Sequence, residues 1–251
     1  MSTMTQPSTN SPNRALRFAG TELKLGPLTI VNPAELVATG IVLAAAGVSP
    51  LMFVGAAAGY GSMNFYATFA LLPAIAVVLV ITFLARHYGW QRLYRGILAA
   101  AIAGPLATAG LEVVRAIGFN VFHAMPGSMP MLMGVLITNR FMEGPNIWSD
   151  IVGWGDHILV NGIGFTLVWT LVFGRRRWWL AIPFAWVIAT FFMISPDMKM
   201  LGDIGLFGLA MGSGFAITVY LAHTVFGAVL GWLTSRSRTH TSTLWGAHLK
   251  L

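Results

Sequence analysis

The feature that most constrains this chain is a succession of apolar, almost uncharged segments. Each is about 20 residues long, enough to cross roughly 30 Å of hydrocarbon as an α-helix. Backbone amides and carbonyls have no water to bond inside a bilayer, so only helices and closed barrels cross it. Barrel strands alternate apolar and polar residues, and no such alternation runs through 71–84 or 178–194. Composition agrees: 56% of residues are hydrophobic and 9% charged, where a soluble domain carries about 25% charged residues. The expected fold is all-α, a polytopic transmembrane helix bundle.

Six spans are drawn, at 34–58, 65–85, 96–122, 157–174, 178–195 and 206–233. The first contains Gly47, Ser49 and Pro50, which predict a kink or a break. Gly104, Gly162, Gly227 and Gly231 lie inside spans and permit close helix contact. Residues 1–13 are rich in Ser, Thr, Asn and Pro without an apolar run, and read as a disordered tail. Residues 14–33 read as an interfacial segment, 34–235 as the bundle and 236–251 as a cytoplasmic tail.

Between these spans the basic residues are strongly partitioned. One side receives Arg14, Arg17, Lys24, Arg86, Arg92, Arg95, Arg175, Arg176, Arg177, Arg236, Arg238 and Lys250, and the other only Arg140 and Lys199. By the positive-inside rule both termini are cytoplasmic, in a bacterial inner membrane. The opposite side carries Glu143, Asp150, Asp156, Asp197 and Asp203. Its longest piece, 123–155, is Pro- and Gly-rich and is expected to form an irregular outer cap, with 131–137 dipping into the membrane.

Several function classes drop out. Without cysteine there are no disulfides, thiolate metal sites or thiol chemistry. The net charge of +7 sits in short clusters between spans, which reads as topology and not as a nucleic-acid surface. Walker-type loops, HExxH and GxSxG are missing, so no catalytic residue is assigned and the chain is not expected to be an enzyme by itself. A Glu/His metal centre in a bundle would still be competent to activate oxygen. Short loops and the lack of a soluble domain point to a component of a larger assembly, with other membrane subunits and the lipid bilayer as partners.

Titratable groups inside spans are costly and therefore mark candidate sites. Four stand out: Glu112, Arg115, His157 and His223. Glu112 and Arg115, three residues apart, share a helix face and can pair. Asp156 precedes His157 and points about 100° away from it, placed either to cap the helix that begins there or to bind an ion. Asn161, one turn after His157, can orient it.

Methionines form the second pattern. Met63, Met125, Met129, Met131, Met133, Met142, Met198 and Met200 fall in or beside the outer loops. Thioethers are soft ligands suited to copper(I), so His123, Met125, Met129, Met131 and Met133 are expected to collect copper on the outer face, with Glu112, His157 and His223 forming a deeper polar site. The plainer reading is that these Met residues fill gaps in the cap. Three alternatives stay open: iron or haem b held by His157 and His223, proton-coupled transport using Glu112 and His223, and a structural subunit whose buried charges fix helix register.

Overall fold

The computed structural model describes residues 32–196, 198, 201–202 and 204–236, together with the backbone of 23–25, 28–30 and 249–250. The expected N-terminal tail, most of the interfacial segment and most of the C-terminal tail lie outside the described residues, as do Asp197, Lys199, Met200 and Asp203. Among the described residues the main helices are, in order, α1 Pro33–Ala46, α2 Val48–Ala57, α3 Met63–His87, α4 Gln91–Asn120, α5 Met129–Ile137, α6 Ile147–Phe173, α7 Trp178–Ile194 and α8 Ser213–Arg236, with a short 3-10 helix, Leu206–Met211, before α8. Three very short strands, β1 Leu23–Leu25, β2 Leu28–Ile30 and β3 Leu249–Lys250, form an antiparallel sheet in the order β1-β2-β3.

Five helical stretches are long and apolar enough to cross a membrane: α1 continuing into α2, then α3, α4, α6 and α8. The shorter apolar α7, about 26 Å long at 1.5 Å per residue, follows α6 and packs against α8. Large apolar side chains such as Leu79, Phe83, Ile102 and Val187 stand fully outward, a surface that only hydrocarbon would cover without penalty. The chain is an integral, multi-pass membrane protein.

Polar contacts gather the basic segments at one end of the bundle. The Leu93 amide donates to Glu35 Oε1 at 3.1 Å, Thr170 Oγ1 to the Gly96 carbonyl at 3.1 Å, and Arg175 Nε to the Ser235 carbonyl at 2.9 Å. At the other end Asn64 Nδ2 donates to the Ile137 carbonyl at 2.7 Å, tying α3 to α5.

Two expectations are corrected here. The fourth span begins at Ile147, ten residues before the expected 157, because Asn146 and Ser149 form a reciprocal capping box. Asp156 therefore lies inside α6 and caps nothing. The outer cap is accordingly more regular than expected: α5 packs against the first turns of α6, and only the links around them are irregular. The last span likewise starts at Ser213, since Phe207 and Gly208 adopt positive φ and break the helix that would otherwise begin at 206.

Small residues set the helix spacing. A Cβ on Gly104 would lie 2.5 Å from the Gly162 carbonyl oxygen, where α4 crosses α6. A Cβ on Gly134 would strike the Ser149 carbonyl, and one on Gly153 the Pro130 carbonyl, so α5 and α6 touch backbone to backbone. Gly134→Ala and Gly153→Ala should each destabilise the protein by about 1–3 kcal/mol. Gly40→Ala, on an open helix face with nothing nearby, should leave it unchanged or slightly more stable; thermal unfolding in mild detergent distinguishes the three.

Candidate functional site

The break in the first span is the first step towards the site. Pro50 has no amide to return to the Ala46 carbonyl, and the helix is interrupted at Gly47 before resuming as α2. Gly164 of α6 packs against that carbonyl. The same break presents Ser49 to α6, where its Oγ donates to both carboxylate oxygens of Asp156, at 3.0 and 3.2 Å.

The second step is a widened, π-helical turn over Asp156–Asn161. On an α-helix residues five apart point about 140° apart; with i to i+5 bonding they come together. Asn161 Nδ2 consequently donates to Asp156 Oδ2 at 3.0 Å. This corrects the expectation from α-helical spacing that Asn161 orients His157.

His157 is held from α4 instead. Glu112 Oε1 accepts from Arg115 Nη1 at 2.6 Å and from His157 Nε2 at 2.8 Å. Both partners of the ion pair are about nine-tenths shielded by protein, with side-chain exposures of 10% and 14%. His223, on α8, places Nδ1 2.8 Å from the Val219 carbonyl. A carbonyl only accepts, so Nδ1 carries the proton and Nε2 of the neutral ring has a free lone pair. The same logic at the Glu112 carboxylate puts the His157 proton on Nε2 and leaves Nδ1 free.

Three of these residues, Arg115, His157 and His223, border one cavity of about 140 Å³. They line it together with Met129 and Met133 from α5 and the polar Thr108 and Asn161, and five phenylalanines, Phe165 and Phe226 among them, form a large part of its apolar wall. Thus Glu112, Arg115 and His157 are joined directly, His223 reaches the same space, and Asp156 with Asn161 forms a neighbouring cluster.

No protein-family model, no curated protein and no solved structure matches this chain. Function must therefore be argued from the site itself.

The expected outer methionine site is not assembled as one ligand set. Met129 and Met133, four apart on α5, share the face turned to the cavity, while Met131 between them is 38% exposed. Met125 is buried elsewhere, among Met193, Met198, Ile204 and Phe215. His123 is exposed in the link after α4, with φ of 49°. Among the described residues no three His, Asp or Glu side chains converge into a metal-binding group. Sequence reasoning missed Ser49 as the partner of Asp156, although its place at the helix break was a usable signal. It also missed the phenylalanine wall, which apolar spans cannot reveal because every such residue looks alike along the chain.

The ion pair makes a sharp prediction. Arg115→Met leaves Glu112 buried with only His157 and should destabilise the fold by about 3–5 kcal/mol, whereas Glu112→Leu combined with Arg115→Met should recover most of the loss. A double-mutant cycle of thermal unfolding in detergent measures both.

Proposed function

We propose that this chain is a small membrane carrier whose working site is the central cavity, with Glu112 and His157 holding the exchangeable proton. One observation carries the reading: the Glu112–Arg115–His157 network borders open space. An ion pair that only fixed helix register would serve best if packed shut, since any void beside it forfeits contacts. Here the network sits at the wall of a chamber of about 140 Å³, roomy enough for several waters.

The surroundings suit alternating access. The first span is broken at Gly47, and α6 carries widened turns at Asp156–Asn161 and Trp169–Phe173, irregularities that bundles tolerate where backbone lines a cavity. Asp156, held by Ser49 and Asn161 beside His157, offers a second carboxylate to which a proton can pass. We place both termini in the cytoplasm of a bacterial inner membrane, because the basic links collect at one end of the bundle.

Recording from proteoliposomes on a solid-supported membrane tests the carrier. Steps of pH are applied with potassium, silver(I), copper(I), chloride or acetate present in turn. Wild-type protein should give a proton-dependent current with at least one ion. Glu112→Gln, which keeps an acceptor oxygen for Arg115 and His157, should abolish that current yet elute as the same monodisperse species. Equal currents in both proteins, or none in either, would refute the carrier; loss of assembly in Glu112→Gln would assign the network a structural role.

A further inference from the structure

We propose that the cavity is a copper(I) site, held by the imidazoles of His157 and His223 and the thioethers of Met129 and Met133. As the identity of a cargo this rests on the carrier reading above; as a binding site it stands by itself.

The four donors come from three helices, α5, α6 and α8, and line one chamber. Each histidine already has one ring nitrogen engaged by an acceptor: Nε2 of His157 by the Glu112 carboxylate, Nδ1 of His223 by the Val219 carbonyl. This is the arrangement that orients metal-binding histidines. A carboxylate or carbonyl takes one N–H, fixes the tautomer and turns the other lone pair to the metal. Two such histidines and two thioethers line one space, a soft donor set in which Thr108 and Asn161 supply the only side-chain oxygens of the lining.

The donor set also selects the ion. Calcium and magnesium need several oxygen ligands, and no group of three His, Asp or Glu occurs among the described residues to hold zinc or iron in the usual way. Thioethers prefer copper(I). Charge points the same way. Glu112 and Arg115 neutralise each other, and the cost of a bare ion in a phenylalanine-walled space rises with the square of its charge, which favours a monovalent guest.

The test uses the purified full-length chain in detergent under anaerobic conditions, titrated with copper(I) held by bicinchoninate, with silver(I) as a redox-inert substitute. Wild type should withdraw one copper per chain, and X-ray absorption should find both sulfur and nitrogen neighbours. Met129→Leu/Met133→Leu and His223→Ala should each weaken retention at least tenfold, and Glu112→Gln by about 10–100-fold through the His157 orientation. Met125→Leu/Met131→Leu should bind like wild type, because neither residue lines the chamber. Leucine nearly matches methionine in volume, so both double variants should fold. Three results would overturn the site: no copper withdrawn, undiminished binding by Met129→Leu/Met133→Leu, or loss caused by Met125→Leu/Met131→Leu instead. Stabilisation by chloride or acetate but not by silver(I) would overturn it in favour of an anion site built on Arg115. Copper binding without any proteoliposome current removes the carrier and leaves this site; current with other ions and no copper binding does the reverse.

Discussion

Backbone hydrogen bonding in a medium without water governs this structure. Every departure from a regular helix exposes amides or carbonyls that nothing in hydrocarbon can satisfy, at a cost of several kcal/mol each. Irregular backbone is therefore confined to places where neighbouring protein compensates. Two of these places face each other. The break at Gly47 presents Ser49, the widened turn of α6 presents Asp156 and Asn161, and the three side chains bond together. The Ala46 carbonyl left by Pro50 is covered by Gly164. Irregularity in one helix is thus stabilised by irregularity in the next, and the widened turn also positions His157.

The charged groups obey the same economy. A lone carboxylate at the depth of Glu112 would be untenable, and its Oε1 serves two donors on two helices, Arg115 one turn along and His157 across the interface. The Glu112–His157 bond ties α4 to α6, two helices whose backbones Gly104 and Gly162 already bring together. Close packing makes the contact short and mostly shielded from solvent, which strengthens the electrostatic tie. Yet the neighbouring chamber is not filled. Large rings such as Phe165 and Phe226 border it instead of packing against the network.

Much of the fold was legible along the chain. Length and hydropathy mark the spans, the Gly47–Pro50 stretch marks the break, and the partition of basic residues fits the way the helix ends gather. The start of α6 was hidden because Ser149 and Asp150 look like loop residues; the Asn146–Ser149 capping box starts the helix there, and the packing of Gly134 against Gly153 seats it under α5. The site was half legible. Burial cost singled out Glu112, Arg115, His157 and His223, but periodicity assumed a regular α-helix, and the widened turn redirected Asn161 from His157 to Asp156. Which spans neighbour one another is a tertiary fact, and no local pattern encodes it.

The methionines show why proximity in sequence is a poor guide to a ligand set. Met125, Met129, Met131 and Met133 fall within nine residues, yet a helix turns residues two apart to nearly opposite faces. Once α5 forms, Met129 and Met133 point inward, Met131 points out, and Met125 belongs to another core. The helical register therefore separates two uses of one side chain. Met125 fills a gap between α7 and α8, where its flexibility suffices. Met129 and Met133 line the same space as the His157 and His223 imidazoles, and on the copper proposal it is there that a polarizable sulfur would do what leucine cannot.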